Sequence, residues 1–245
     1  MPGLEWLTAR PIAHRGLHDQ ARGIVENTAS AFAAAIAGRY AIECDLQITA
    51  DGEAMVHHDD VLGRLTEGSA RLDALPAADL RQIPFRATSD RMISLGDLCD
   101  FVSGRVTLAI ELKSKYDGDL RLVRRAAAVL SSYPGPAALM SFDTAQIAAL
   151  CHIAPKLPRG IDAGNGSAHR DLASMLPRAL AYSWHAAFAR PQFLAYSVSA
   201  LPATIPLAAR TLLGLPLLTW TVRTSKDRAR AARWADQIIF EGFHP

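Results

Sequence analysis

The chain has 245 residues, half of them hydrophobic, and a formal net charge of +2. This length suits a single α/β domain with a buried core, and the balanced charge argues against nucleic acid as a partner. No run of about 18 apolar residues is present, so an integral membrane segment is not expected. Three widely spaced cysteines, Cys44, Cys99 and Cys151, and an N-terminus without signal-peptide features favour a reduced, cytoplasmic protein.

Apolar segments typical of strands alternate with helical segments along the chain. Strands are predicted around Ile12, Ile42, Leu108, Leu139, Ile161, Tyr196, Leu218 and Ile239. Helices are predicted at 29–37, 94–104, 119–131, 144–152, 171–180, 205–213 and 225–235. This alternation over about 250 residues predicts an α/β fold of the (β/α)8 TIM-barrel type. A doubly wound open sheet is the alternative, but no GxGxxG follows the first strand.

The alternation is interrupted after the second barrel strand. Asp51-Gly52 predicts a turn, and 54–56 a short strand that would form a hairpin and return His57-His58 toward the second barrel strand. The following segment, 63–91, is polar and far longer than an ordinary connection between a strand and a helix. We therefore expect one barrel domain over 1–245, with a small insertion or lid at about 51–105.

Two acids stand inside the otherwise apolar second strand. Glu43 and Asp45 are two residues apart and share one face of the strand, whereas Cys44 faces the other way. Two carboxylates on one face repel each other, so a positive group is expected between them, and a hard divalent cation is the obvious one. The simpler explanations are an exposed strand edge for this pair and, for Glu111 alone, an ion pair with Lys113.

A series of motifs stands in order over nearly the whole chain. They are His14-Arg15-Gly16, Glu26-Asn27-Thr28, Glu43-x-Asp45 with its turn at 49–52, the run 56–64 that contains His58, Glu111-Leu112-Lys113, Ser141-Phe142 and Trp220-Thr221-Val222. Together these motifs resemble the glycerophosphodiester phosphodiesterase family. Several positions depart from the family pattern: Val25 stands in place of proline, Gln237 in place of glycine and Phe240 in place of threonine. Arg223 stands where the family commonly has asparagine, and Glu241 where it has aspartate. Both positions belong to the last two loops of the barrel, where substrate contacts are expected.

The resemblance implies a metal-dependent hydrolase that cleaves glycerophosphodiesters to sn-glycerol 3-phosphate and an alcohol. Its single divalent cation, Mg²⁺ or Ca²⁺, would bind Glu43, Asp45 and Glu111, an all-oxygen set that suits these hard ions better than zinc. The acid/base pair would be His14 and His58, because histidine takes and gives protons near neutral pH.

The remaining implied contacts are with substrate. Arg15 and Lys113 would grip the phosphate, and Trp220 would line the pocket or belong to the core. Of the adjacent histidines, only one can face the site from an extended segment, and the motif places His58 inward and His57 outward.

Several alternatives stay open at this stage. The sequence does not show which histidine is the acid and which is the base. The nucleophile that attacks the phosphorus is either water or a neighbouring hydroxyl of the substrate. A lysophospholipase-D-like activity on single-chain lipids, with 188–218 as an apolar wall, and a non-catalytic phosphodiester-binding barrel are the competing functions. The oligomeric state and the leaving alcohol are not specified by the sequence.

Overall fold

Eight parallel strands in the described part of the chain close into a barrel. The computed structural model describes residues 3–164 and 188–245, and the helix predicted at 171–180 lies outside them. The strands are β1 (Ile12–Ala13), β2 (Ala41–Ile48), β3 (Ala54–Val56), β4 (Leu108–Leu112), β5 (Ala137–Ser141), β6 (Arg159–Ala163), β7 (Phe193–Ser197), β8 (Leu217–Val222) and β9 (Gln237–Phe240). The strand β1 pairs in parallel with both β2 and β9, which closes the ring, and β3 pairs antiparallel with β2 outside it. The predicted TIM-barrel fold is confirmed.

Helices precede the first strand, occur in the insertion and follow barrel strands around the outside. They are α1 (Glu5–Thr8), α2 (Ala29–Ala37), α3 (Ala77–Leu80), α4 (Leu95–Val102), α5 (Arg121–Leu130), α6 (Thr144–Ile153), α7 (Thr204–Leu213) and α8 (Ser225–Trp234). A capping box between Ser94 and Asp97 begins α4, within the helix that the sequence predicts at 94–104. Among residues 3–164 and 188–245, no helix is both long and apolar enough to cross a membrane.

Alternation along the strands separates an inner from an outer layer. Ile42, Cys44 and Leu46 of β2 pack outward in one large apolar cluster with residues of the surrounding helices. Ala41 faces inward, in a second cluster at the lower end of the barrel. Leu7 of α1 belongs to that inner cluster and is fully buried, so α1 packs against the floor of the barrel.

The insertion has a small apolar core of its own. The sequence predicts a polar, irregular segment, but scattered apolar residues here converge on β3 and the loop before α2. This cluster consists of Val25, Met55, Leu62, Leu72, Leu80, Phe85 and Met92. The segment is therefore held by packing, and its irregular backbone reflects wide spacing of these residues rather than a lack of contacts.

Leu7 offers a test of the barrel floor. We expect Leu7→Ala to lower the free energy of unfolding by about 2–5 kcal/mol, because the fully buried side chain leaves a cavity. The same substitution at Leu213, which is 67% exposed, should change it by less than about 0.5 kcal/mol. Denaturant unfolding of both variants measures the difference, and equal effects would contradict a packed floor.

Candidate active site

A tight turn after β1 positions the first motif. Arg15 and Gly16 both adopt positive φ, at 54° and 79°. A Cβ atom on Gly16 would lie 2.9 Å from the backbone carbon of Ala31, so only glycine fits this close approach to α2. The turn directs the backbone N–H of Arg15 to Oε2 of Glu43 at 2.8 Å. The motif thus supplies a backbone donor to the acidic strand as well as a guanidinium.

Three carboxylates from β2 and β4 meet inside the upper barrel. Asp45 is paired in register with Glu111, and oxygens of Glu43, Asp45 and Glu111 all lie within 4.8 Å of one another. Burial, helped by the charges of Asp45 and Glu111, raises the pKa of Glu43 well above its usual range. Burial also raises the pKa of Glu111 to about 7, with Lys113 opposing the shift. The cluster therefore resists carrying three negative charges at once.

Asp45 is the carboxylate that stays ionised. Burial alone would raise its pKa, but Lys113 and Arg15 outweigh burial and hold the pKa far below its usual range. Nζ of Lys113 is 2.8 Å from Asp45 and 2.7 Å from Glu111, so the ion pair considered for Glu111 alone is present. The side-chain amide of Asn27 also donates to Asp45, at 2.8 Å.

His14 is held by a carboxylate from the opposite end of the chain. Its Nδ1 lies 2.8 Å from Oε2 of Glu241, which also pairs with Arg223 at 3.0 Å. The hydrogen bond with His14 is the main influence on Glu241 and, with Arg223, lowers the pKa of Glu241 to about 2. An ionised carboxylate can only accept, so Nδ1 carries the proton and Nε2 presents a lone pair. Burial lowers the pKa of His14, which favours the neutral ring.

His58 has a matching arrangement. Its Nδ1 is 2.7 Å from Oδ1 of Asp59, and the other oxygen of Asp59 accepts from Nε of Arg64 at 2.5 Å. Arg64 continues to Glu26, which in turn accepts from Arg15 at 2.7 Å. A chain of charged contacts therefore connects His58 to the Arg15 turn.

The two neighbouring histidines lie in different surroundings. The side chain of His58 is about one-third exposed and lines a cleft of about 580 Å³ together with Lys113. His57 is 2% exposed, and its Nδ1 contacts the carbonyl of Asp59 at 2.9 Å. This placement agrees with the register in which His58 faces inward.

Trp220 contacts the site from β8. Its indole N–H donates to Asp162 at 2.5 Å, and its ring packs edge-on against Phe142 with centroids 5.6 Å apart. Burial, with the charge of Glu111, raises the pKa of Asp162 well above its usual range. Trp220 thus belongs to the inner wall and fixes a fourth carboxyl group near the cluster.

The chain matches a known protein family over nearly its whole length. The model of the glycerophosphoryl diester phosphodiesterase family matches residues 14–243. The chain belongs to this family. The predicted family and enzyme class, a glycerophosphodiester phosphodiesterase, are therefore confirmed. The curated proteins gave no match.

Solved structures share the fold over nearly the full chain. An Oleispira antarctica phosphodiesterase, solved with the product sn-glycerol-3-phosphate, is 19% identical with a TM-score of 0.78, covering 96% of this chain and 94% of its own. A candidate glycerophosphoryl diester phosphodiesterase of Silicibacter pomeroyi is 26% identical, with a TM-score of 0.75 and coverages of 97% and 93%. A Galdieria sulphuraria candidate is 17% identical, with a TM-score of 0.75 and coverages of 96% and 93%.

Sequence reasoning missed several residues that organise this phosphodiesterase site. Asn27, Glu26 and Asp59 stand inside the quoted motifs, but nothing in their spacing shows which side chain each would contact. Glu241 was visible only as a departure from the family pattern. The only sign in the sequence that Asp162 belongs to the site is its position as an acid inside an apolar strand.

Glu241 gives a testable prediction for this phosphodiesterase. If His14 moves a proton, Glu241→Gln should lower kcat by about 10–100-fold, because the neutral amide orients the ring less firmly and no longer stabilises its charged form. The matched control is Glu67→Gln, an exposed carboxylate paired with Arg86 at 3.0 Å. Steady-state kinetics on one glycerophosphodiester would show the contrast. Parent-like turnover in Glu241→Gln would mean that the contact is only structural.

Proposed function

We propose that this enzyme hydrolyses glycerophosphodiesters to sn-glycerol 3-phosphate and an alcohol by metal-dependent acid/base catalysis. The observation that carries the proposal is the meeting of two carboxylate-held imidazoles, His14 and His58, with a buried acidic cluster. The family assignment and the product-bound structure of the Oleispira antarctica relative support the substrate class.

The acidic cluster suits a divalent cation. Among the described residues, four buried carboxyl groups at its centre face two cationic side chains. The acids are Glu43, Asp45, Glu111 and Asp162, and the cations are Arg15 and Lys113. Glu43, Asp45 and Glu111 would hold the ion, and their all-oxygen donor set fits Mg²⁺ or Ca²⁺. When bound, such an ion would neutralise phosphate oxygens and stabilise the charge that develops during displacement.

The two imidazoles would divide the proton transfers. Both present Nε2 away from their carboxylate partners, and neutral rings near pH 7 suit a base that accepts a proton from the attacking hydroxyl. The other ring, once protonated, donates to the departing alkoxide. Glu241 and Asp59 would stabilise the charged form of each ring after it gains a proton.

The cations and the tryptophan would bind substrate. Arg15 lies 3.3 Å from Asp45 and presents further N–H groups for phosphate oxygens. Lys113 now contacts Asp45 and Glu111. Its ammonium would turn toward phosphate when a cation takes over these carboxylates. Trp220, held by Asp162, would form an apolar wall for the glycerol carbons.

We propose that the insertion at about 51–105 selects the leaving alcohol. The cleft beside His58 is bounded by Asp60, Leu62 and Arg64 from this segment and by Lys115 from the loop after β4. The described part of this cleft is rich in charged groups, which suits a small polar alcohol. The exposed apolar residues Ile205 and Leu212 lie on the outer helix α7, so they do not favour a single-chain lipid substrate.

Metal dependence is tested directly by chelation. We expect release of sn-glycerol 3-phosphate from glycerophosphocholine and glycerophosphoethanolamine to stop in excess chelator and to return with Mg²⁺ or Ca²⁺. Glu43→Gln should require a higher ion concentration for half-maximal activity, while its metal-free melting temperature stays near or above that of the parent. A lysophospholipid serves as the comparison substrate. Full turnover by metal-free protein in chelator would refute the proposal.

The pKa of Glu111 predicts a pH effect on stability. With its pKa raised to about 7 from 4.5, the folded protein keeps a proton on Glu111 that the unfolded chain releases. The group therefore costs stability increasingly as pH rises from about 4.5 to 7. In chelator, Glu111→Gln should be more stable than the parent at pH 8, by on the order of 1–3 kcal/mol, and the difference should shrink toward pH 5.

Unfolding curves of the two proteins across this range measure that difference. Comparing them removes the contribution of the histidines, whose lowered pKa values act in the opposite direction. A difference independent of pH would show that Glu111 is ionised in the folded, metal-free protein throughout the range.

The adjacent histidines provide a further contrast. We expect His58→Ala to lower kcat/KM by about 10²–10⁴-fold with a small change in melting temperature. Because His57 is buried in packing, His57→Ala should keep activity within a few-fold while lowering the melting temperature. Kinetics and melting curves of both variants test this. The reverse ranking would assign the proton transfer to His57.

A further inference from the structure

A second set of metal-ligating side chains lies at the mouth of the barrel and shares no residue with the carboxylate cluster. Within the described chain, ligand atoms of His14, His18 and Glu241 lie within 4.8 Å of one another. Oε2 of Glu241 is 2.8 Å from Nδ1 of His14 and 3.9 Å from Nε2 of His18. Nε2 of His18 is buried without a hydrogen-bond partner. A nitrogen of His18 therefore stands near the carboxylate with its hydrogen-bonding capacity unused.

The donor chemistry of this set differs from that of the acidic cluster. Two imidazole nitrogens and one carboxylate oxygen are ligands typical of zinc, with bonds of about 2.0–2.2 Å. Such bonds place ligand atoms up to about 4 Å apart, so small side-chain rotations would complete the set. We propose that His14, His18 and Glu241 form an inhibitory site for Zn²⁺. The fourth coordination position of the ion would be taken by water or substrate.

Inhibition follows from the nitrogen that zinc would take. Nδ1 of His14 now carries a proton and donates a hydrogen bond to Glu241, and Nε2 holds the lone pair. A bond from Nδ1 to Zn²⁺ uses the lone pair of Nδ1, so its proton must move to Nε2, with no change in redox state. Nε2 of His14 then has no lone pair to accept a proton, and the ring is a poor acid. This step rests on the proton-transfer role proposed for His14.

Arg223 opposes the metal at this site. Its guanidinium pairs with Glu241 at 3.0 Å, but its side chain is 54% exposed and can turn to solvent. Removing this positive charge should leave Glu241 more available to Zn²⁺. Arg223→Ala is therefore expected to bind zinc more tightly than the parent.

The test begins with inhibition at saturating Mg²⁺. Zinc-free enzyme is assayed on glycerophosphocholine with increasing ZnCl₂, and micromolar zinc should lower turnover at least about tenfold. His18→Ala should keep the uninhibited turnover of the parent and lose most of the zinc sensitivity. His18→Gln is the second variant, and melting curves show that each is folded. Equal inhibition of parent and variants, relieved by more Mg²⁺, would place zinc at the carboxylate cluster and overturn the proposal.

Binding is measured separately from catalysis. Glu43→Gln weakens the carboxylate cluster, and equilibrium dialysis of this variant should find one Zn²⁺ per chain, lost on adding His18→Ala. Co²⁺ bound in place of Zn²⁺ should give a visible absorption band that also depends on His18. No binding dependent on His18 would overturn the site itself. Binding that depends on His18 without inhibition would confirm the site and overturn the role of His14 in proton transfer.

Discussion

Repulsion among buried carboxylates is the constraint on which the upper half of this barrel depends. Glu43, Asp45 and Glu111 project from adjacent strands because their register fixes them there, and burial makes their mutual repulsion strong. The backbone N–H of Arg15 and the ammonium of Lys113 are directed at these oxygens. The turn after β1 and the end of β4 thus place a backbone N–H and an ammonium group where they offset the repulsion among these carboxylates.

Compensation of a carboxylate by a nearby cation is found again at the two imidazoles. In each case a carboxylate accepts from Nδ1 and an arginine holds that carboxylate: Glu241 and Arg223 for His14, Asp59 and Arg64 for His58. The carboxylate orients the ring and the arginine compensates the charge of the acid, while burial lowers the pKa of both His14 and His58 and so favours the neutral rings. Two residues that depart from the family pattern, Arg223 and Glu241, therefore form one interacting pair rather than two separate substitutions.

Much of this architecture was predictable from the sequence. The rest was not predictable, and the reasons are physical. Strand and helix periodicity reflects local burial, so the barrel and the inward face of Glu43 and Asp45 follow from short windows of sequence. The contact between Glu241 and His14 joins residues 227 positions apart and depends on barrel closure, which no local pattern encodes. Likewise, the core of the insertion forms from apolar residues with no regular spacing. The sequence of that segment predicts a polar, irregular insertion or lid, and it does not show which of its apolar residues pack together.

Closure through the two-residue strand β1 has a consequence for when activity can arise. That strand lies between β2 and β9, so His14 meets Glu241 only after the last strand has joined the first. Contacts so distant along the chain form late and at a high entropic cost. A growing or partly folded chain would already contain its acidic strand but not an oriented His14. The proton-transfer role proposed for His14 would in this way tie competence for phosphodiester cleavage to completion of folding.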